Sequence, residues 1–228
     1  MSVDVQGLQR PQERQRDDGP GLAFEPQAGV AIVDRAADIG RIAAPDLAAV
    51  ILRRHTSSDF QAWIDALAPD DLPRGRVIVR SAQIHRVVAG LCTLIPVTAA
   101  TAPHRDALVE DVAMLAQTFA GVMAAPFVRV RLDVIDGNAC RRFHRDAVTA
   151  RLVCTYRGTG TQYGAATPEG DPARVFTVST GMPILLRGSL WPESPATGLL
   201  HRSPPIEGSG ETRLLLVIDP IDDPEDAV

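Results

Sequence analysis

The sequence predicts an α+β fold in which a helical N-terminal layer packs on a C-terminal antiparallel β-domain. Between about positions 45 and 125, apolar residues recur every three or four positions, which is typical of amphipathic helices. After Pro126 the spacing changes to two, and short apolar runs alternate with turn residues. The 228 residues, 45% hydrophobic and 22% charged, have the composition of a globular chain with room for one large domain.

Three helices are predicted in the first part of this N-terminal region. The first begins at Pro45, where a first-turn proline fits, and continues through the sequence LAAVILRR. A second covers residues 60–67, with Ser58 and Gln61 as a capping box at its start. A third helix is predicted over residues 81–94.

The longest predicted helix covers residues 104–124. Five apolar side chains recur there at three- and four-residue spacing, which gives the helix one apolar face. They are Leu108, Val112, Leu115, Phe119 and Val122. We expect this helix to belong to the layer that covers the β-domain.

The region after Pro126 is predicted to form at least six short strands. Residues 127–135 alternate between two faces, as a strand does, and the DGN sequence at 136–138 indicates a turn. Clusters of Gly, Pro, Ser and Glu separate the later strands, which predicts a sandwich or a barrel. The later runs are residues 147–156, 175–179, 183–187, 198–202 and 213–218.

Four segments are therefore predicted along the chain. Residues 1–22 form a polar lead-in with almost nothing to bury, so we expect disorder there. Residues 23–125 form the helical region, and residues 126–219 form the β-domain. Residues 220–228 form an acidic tail that is predicted to be disordered like the lead-in.

Composition excludes several classes of function. All 23 basic residues are arginines, so no lysine can form a Schiff base, bind pyridoxal phosphate or complete a phosphate-binding loop. A net charge of −5 argues against nucleic acid as the main partner. The three cysteines show no CxxC spacing, and no apolar run is long enough for a signal peptide or a membrane span. These observations predict a cytoplasmic protein without a membrane partner.

A candidate metal site lies in the β-region. His144 and Asp146 are two residues apart in the sequence FHRD, so on an extended backbone both side chains point to the same face. His201, on a later predicted strand, can supply a third ligand. Two imidazoles and one carboxylate on one side of an octahedral ion leave its other positions open, as in non-haem Fe(II) oxygenases. We predict that His144, Asp146 and His201 are the metal ligands and the catalytic centre.

A second His-Arg-Asp sequence shows that the motif alone has little specificity. His104, Arg105 and Asp106 follow Pro103 at the start of the longest predicted helix, where Asp106 complements the positive end of the helix dipole. His144 differs in its context, because it precedes a strand and a distant histidine follows in the β-region. The metal site is therefore predicted at His144 rather than at His104.

The order of the β-region residues resembles the double-stranded β-helix of the 2-oxoglutarate-dependent oxygenases, over about residues 125–220. The His-x-Asp pair is followed by the distal His201 and then by Arg213, in the sequence ETRLLLVID. The resemblance implies a cupin-like jelly roll, an Fe(II) ion and 2-oxoglutarate as co-substrate. It also implies that Arg213 binds the far carboxylate of the keto acid through a bidentate pair.

A second resemblance covers four blocks of the sequence: CRRFHRD, RLVCTYRGTGTQ, LLHRSPP and RLLLVID. They are similar to an uncharacterised bacterial family, domain of unknown function 1826. Members of that family often lie near metal-homeostasis genes. The resemblance implies that the four blocks form one site, and it names no substrate.

Three further residues are weaker candidates. Cys140 lies four residues before His144 and could add a soft ligand that favours zinc, or it could be a small packing residue. Tyr156 could hydrogen-bond a bound keto acid or belong to the core. Ser203 could orient a ligand beside His201 or cap the end of a strand. The segment GTGTQYG lacks a following helix and is predicted as a loop near the mouth of the site.

Three functions fit these observations. The first is an Fe(II)/2-oxoglutarate-dependent oxygenase that hydroxylates a small molecule or a side chain. The second is a cupin-like, zinc-linked accessory protein that binds metal without oxygenase turnover, for which Cys140 is the supporting residue. The third is a structural module in which His144, Asp146 and His201 meet by coincidence.

Overall fold

The computed structural model describes residues 27–192 and 198–227, which form ten strands, three α-helices and several short 3₁₀ turns. The strands are β1 Val30–Val33, β2 Ala49–Leu52, β3 Gly75–Arg80, β4 Phe127–Ile135, β5 Ala150–Arg157, β6 Gln162–Ala165, β7 Phe176–Thr177, β8 Pro183–Arg187, β9 Leu199–Arg202 and β10 Arg213–Ile221. The helices are α1 Ser58–Ala66, α2 Ile84–Leu91 and α3 Ala102–Val122.

The strands form two sheets that pack face to face. The larger sheet has the order β1-β2-β8-β5-β10-β4-β3, and the smaller one has the order β7-β6-β9. Neighbouring strands are antiparallel except for β1 and β2, which run parallel. The pairing confirms the predicted antiparallel β-domain.

Two apolar cores lie on opposite faces of the larger sheet. The first is formed with the helices, where Leu108, Leu115 and Phe119 of α3 join the same buried cluster as Val128 and other residues of β4. The second lies between the two sheets, and it combines residues of β5, β8 and β10 with Tyr163 of β6 and residues of β9. The larger sheet is therefore covered on one face by helices and on the other by the smaller sheet.

The predicted helices after residue 57 are present, with small differences at their ends. The N-cap of α1 is Ser57, whose hydroxyl accepts from the backbone N–H of Phe60 at 3.2 Å, so the cap lies one residue before the predicted one. The Gln61 side chain donates to the carbonyl of Tyr156 rather than closing a capping box. The helix α2 is preceded by a 3₁₀ turn at Ser81–Gln83. None of the helices in the described ranges is both long and apolar enough to cross a membrane.

The helix predicted after Pro45 is wrong, because these residues form strand β2. Its side chains are buried on both faces: Val50 and Leu52 join the core with the helices, while Ala49 and Ile51 join the core between the sheets. A short, continuous apolar run of this kind has no periodicity that distinguishes a helix from a doubly covered strand.

The structure also corrects the predicted segment boundaries. The strands β1, β2 and β3 lie in the region predicted as helical, yet they join the same sheet as β4 and β10. Strands from both sides of position 125 therefore form one sheet. Strand β10 continues to Ile221, and Asp219 is buried, so the chain is ordered beyond the predicted start of the acidic tail. The predicted lead-in at residues 1–22 lies outside the described residues.

Candidate metal centre

Backbone pairing brings the two predicted histidine ligands together. His144 lies in the connection between β4 and β5, and it forms an isolated antiparallel bridge with His201 on β9. Each of the two residues donates its N–H to the carbonyl of the other at 3.0 Å. The two imidazole rings consequently lie side by side, with centroids 4.5 Å apart.

The carboxylate of Asp146 completes a compact cluster with these rings. Asp146 Oδ1 lies 3.5 Å from His144 Nε2, and Asp146 Oδ2 lies 3.0 Å from His201 Nε2. One ligand atom from each of the three residues lies within 4.8 Å of the others. The structure thus brings together all three residues that the sequence predicts as ligands.

A backbone contact orients the His144 ring for metal binding. His144 Nδ1 lies 2.9 Å from the carbonyl oxygen of Arg142. A carbonyl can only accept, so Nδ1 carries the proton in the neutral ring and Nε2 keeps its lone pair. The same device holds many metal-binding histidines in one tautomer. Nε2 is also the atom that faces Asp146.

The cluster fits a divalent cation. Asp146 Oδ2 is buried and lies at ion-pair distance, 3.0 Å, from His201 Nε2, without a regular hydrogen bond among the described residues. Burial raises the pKa of the Asp146 carboxyl, but His201, Arg151 and His144 together bring it below its ordinary value. An ionised carboxylate beside two imidazole nitrogens is a donor set that Fe(II) or another first-row divalent metal accepts.

An ion-pair network, which the sequence analysis does not predict, lies behind Asp146. Arg151 on β5 forms a fork with Asp219 on β10, with Nε–Oδ1 and Nη2–Oδ2 distances of 2.6 and 2.9 Å. Its third nitrogen, Nη1, donates to Asp146 Oδ1. Arg151 therefore fixes the carboxylate of Asp146 from outside the cluster. The sequence signal that could have revealed this pair is a charged residue in each of two strands that are otherwise mainly apolar, Arg151 in β5 and Asp219 in β10.

The three ligands line a cavity of about 180 Å³ between the sheets. Its wall combines side chains of β4, β5, β9 and β10 with the connection that carries His144. The other lining residues are Arg131, Asp133, Ile135, Ala139, Cys140, Arg151, Val153, Thr161, Arg202, Ser203, Leu215 and Val217.

Arg213 lies on the cavity face of β10 but not in the cavity wall. It is fully buried, and it faces the same side as Leu215 and as its β4 neighbour Ile135, which both line the cavity. Its Nε donates to the carbonyl of Thr159 at 2.7 Å, whereas Nη1 has no hydrogen-bond partner among the described residues. Burial lowers the pKa of Arg213 to about 10, against the opposing effect of Glu211.

Tyr156 is not at the metal cluster, which corrects its predicted contact with a keto acid. Its side chain packs in the core with the helices, and its hydroxyl donates to Asp111 of α3 at 2.6 Å. The alternation of β5 places Tyr156 on the face opposite Val153, and Val153 lines the cavity. The alternation is predicted correctly, but the site lies on the opposite face of β5, where Arg151 and Val153 line the cavity.

The structure also locates the remaining residues that the sequence analysis considers as site candidates. Cys140 and Ser203 line the cavity, and the N–H of Ser203 donates to the carbonyl of Cys140 at 2.9 Å. The cluster of ligand atoms does not include the thiol of Cys140. The GTGTQYG segment contains strand β6, so its prediction as a loop is wrong, although Thr161 in the same segment does line the cavity. His104 packs against Trp63, away from the cluster.

The two facing sheets define a double-stranded β-helix, the fold of the non-haem oxygenases. The dioxygenase for auxin oxidation from rice is similar, with 11% identity, a TM-score of 0.52 and coverage of 88% of this chain and 85% of that one. The chain belongs to the family described as protein of unknown function (DUF1826), whose family model matches residues 33–219. This confirms the family suggested by the four sequence blocks.

Two further solved structures are similar at lower TM-scores. The dioxygenase for auxin oxidation 1 from Arabidopsis thaliana, in a complex with 2-oxoglutarate, has 10% identity, a TM-score of 0.48 and coverage of 89% of this chain and 98% of that one. An oxidoreductase of the 2OG-Fe(II) oxygenase family from Burkholderia pseudomallei has 16% identity, a TM-score of 0.39 and coverage of 83% and 94%. No curated protein matches the sequence.

Proposed function

We propose that this protein is a non-haem Fe(II) and 2-oxoglutarate-dependent dioxygenase that acts in the cytoplasm and hydroxylates a small molecule or a side chain. The observation that carries the proposal is the convergence of His144, Asp146 and His201 on one wall of a cavity, with the ionised carboxylate of Asp146 facing both imidazoles. The similarity of the fold to the rice dioxygenase supports the same class of protein. The free cysteines suit a reducing compartment.

The chain would position the reactants rather than supply the oxidising chemistry. His144, Asp146 and His201 would hold Fe(II), which together with 2-oxoglutarate and O₂ supplies the oxidation. Arg151 holds Asp146 in place and favours its ionised form. The apolar side chains of Val153, Leu215 and Val217 line the cavity and exclude bulk water from it.

Arg213 is the residue that we propose as the anchor for 2-oxoglutarate. It is fully buried, and Glu211, the acid nearest to it in sequence, bonds to Thr159 instead. A buried guanidinium without a carboxylate partner is unfavourable, and a keto dicarboxylate would supply that partner. Within the described part of the chain, Nη1 has no hydrogen-bond partner and Nη2 bonds to Thr155 at 3.3 Å, so both can donate to one carboxylate.

The anaerobic Fe(II) protein is expected to develop a metal-to-ligand absorption band when 2-oxoglutarate is added. Arg213→Met should raise the apparent Kd for 2-oxoglutarate by roughly 30-fold or more, since truncating one partner of a buried charge pair has an effect of this size. His144→Ala should abolish the band. The matched control is Arg86→Met, which removes an exposed arginine from α2 and should leave the titration unchanged.

Two outcomes of that titration would contradict the proposal. If the wild-type protein binds Fe(II) but no keto acid, it is not an oxygenase of this class. If Arg213→Met binds 2-oxoglutarate as the wild type does, the keto acid binds elsewhere and the anchor role of Arg213 is wrong.

Zinc binding without turnover is the second candidate function, because Cys140 lines the same cavity. Native protein at pH 8 is expected to react with iodoacetamide at Cys140 alone. The thiols of Cys92 and Cys154 are buried, and burial raises their pKa to about 11 and about 12, although nearby arginines oppose this rise. Mass spectrometry should find one modification per chain, and three after unfolding.

Repeating the alkylation with Zn(II) distinguishes the two functions. Protection of Cys140 by stoichiometric Zn(II), together with the absence of keto-acid binding, would favour the zinc-linked function. Continued reaction of Cys140 in the metal-loaded protein would show that three ligands suffice, as the dioxygenase requires. Modification of Cys92 or Cys154 in the native protein would contradict their burial.

A further inference from the structure

Three arginines form a row on one face of two neighbouring strands: Arg76 on β3 and Arg129 and Arg131 on β4. Arg131 lines the cavity, and Arg76 is its direct partner in the antiparallel register of β3 and β4. Directly opposed residues of an antiparallel pair point to the same face, so Arg76 lies beside Arg131 at the rim of the cavity. Arg129 follows on the same face of β4 because strands alternate with a period of two.

This arginine row is unfavourable in the ligand-free protein. Like charges placed directly opposite each other destabilise a sheet. The pKa of Arg129 is lowered first by burial and then by the charge of Arg76, with Arg131 and Arg151 adding to the effect and Asp219 opposing it. The charges of Arg76 and Arg131 therefore act against the charge of Arg129.

Among the described residues, no nearby carboxylate accepts a hydrogen bond from Arg131, and Asp133 forms only a long ion pair with it. Asp219 and Asp146 are both bonded to Arg151. Asp133 is the remaining acid of the cavity wall, and its Oδ2 lies 3.9 Å from Arg131 Nε, beyond hydrogen-bonding distance. The Nε atom of Arg131 is buried without a hydrogen-bond partner among the described residues. A buried donor that is not satisfied by the protein is a place where a ligand can bind.

We propose that the substrate is a small oxyanion, with a carboxylate or phosphate group that binds Arg131 and Arg76 while the rest of the molecule extends toward the metal centre. This inference rests on the proposed function, because it assigns the substrate class of the same site. A guanidinium recognises either oxyanion through paired N–H donors. The chain as a whole carries a charge of −5, so the positive rim is a local feature.

The size of the cavity agrees with a small substrate. A volume of about 180 Å³ is smaller than the 300 Å³ or more of sites that enclose drug-sized ligands. The exposed position of Arg76 lets one end of the substrate lie at the rim, outside the enclosed space. The oxyanion would then fix the orientation of the molecule, and its apolar part would face Val217 in the wall of the cavity.

Binding of simple anions tests the proposal without measuring turnover. Benzoate and phenyl phosphate are titrated by calorimetry into the protein loaded with Fe(II) under anaerobic conditions, with and without 2-oxoglutarate, and neutral benzamide is the matched probe. At least one anion should bind about tenfold more tightly than benzamide, which corresponds to one hydrogen bond to a charged group. Arg131→Gln and Arg76→Gln should each remove most of this preference, and Arg86→Gln should retain it. The anion that binds more tightly identifies the oxyanion.

A stability measurement separates ligand binding from a structural role. Without ligand, Arg131→Gln and Arg76→Gln should raise the Tm by about 1–3 °C, because each relieves repulsion between like charges. A fall in Tm for both variants would indicate that the arginines stabilise the fold and would overturn the proposal. Equal binding of the anions and benzamide, or no binding of any of the three, would also overturn it.

Failure of this inference is distinguishable from failure of the proposed function. If the anions bind in an Arg131-dependent way but 2-oxoglutarate produces no absorption band, the anion site stands and the dioxygenase function is wrong. If 2-oxoglutarate binds through Arg213 and neither anion depends on Arg131 or Arg76, the dioxygenase function stands and the substrate class is wrong.

Discussion

Replacing Asp146 with alanine is expected to weaken Fe(II) binding by more than about 100-fold. Removing a residue that only supports a metal ligand typically reduces affinity 10- to 100-fold, so removing a ligand should have a larger effect. Asp146 is the one carboxylate in the cluster, and it supplies the negative charge that His144 and His201 do not. Anaerobic calorimetry with Fe(II) measures the change.

The second His-Arg-Asp sequence provides a matched control for this substitution. Asp106→Ala removes an acid from the same tripeptide, but Asp106 is exposed on α3 and pairs only with Arg105. It should bind Fe(II) as the wild type does. Circular dichroism of Asp146→Ala should match the wild type, since Arg151 retains its fork with Asp219. Unchanged Fe(II) affinity in a folded Asp146→Ala protein would show that the cluster is not the metal site.

Asp219→Ala is expected to lower the free energy of unfolding by about 2–4 kcal/mol. Asp219 is only 1% exposed and holds two nitrogens of Arg151, so its removal leaves a largely buried guanidinium with one remaining carboxylate. Breaking a buried ion pair from one side typically has an effect of about 3–5 kcal/mol, and the remaining contact with Asp146 should reduce it. Urea unfolding monitored by circular dichroism gives the value.

Two further variants test the cause of that loss. Asp222→Ala removes an exposed acid just after β10 and should change the free energy of unfolding by less than about 0.5 kcal/mol. The double variant Asp219→Leu with Arg151→Met should be more stable than Asp219→Ala, because the guanidinium is removed together with its main partner, although Asp146 also loses its contact with Arg151. If the double variant is less stable than Asp219→Ala, desolvation of Arg151 is not the reason for the loss.

The strands and helices with a clear period could be predicted from the sequence. Strand β4 alternates polar and apolar residues, because one face packs on α3 and the other faces the cavity, and it occupies the predicted residues. Strand β8 also occupies the predicted residues, although every position in it is buried. Strand β2 could not be predicted, because burial on both faces removes the alternation. Strand β6 lies in a glycine-rich segment that resembles a loop.

The clustering of His144, Asp146 and His201 could be predicted, whereas their surroundings could not. His144 and Asp146 are close in sequence, and the hypothesis of a metal site calls for a further ligand such as His201. The Arg151 and Asp219 pair depends on the register of β5 and β10, which no local pattern specifies. The arginine row similarly depends on the pairing of β3 with β4, and β3 is not predicted as a strand.

The backbone bridge between His144 and His201 also sets the time at which the metal can bind. During synthesis, the chain contains His144 and Asp146 well before His201, and the N-terminal part begins to fold first. The third ligand reaches the other two only after β9 has joined the smaller sheet, which closes a loop of more than 50 residues. On the proposed function, metal loading would therefore be a late event. The metal would be selected by a finished cavity and by the cellular supply of ions, rather than by a nascent chain, whose loose ligands would follow the intrinsic preference for copper and zinc.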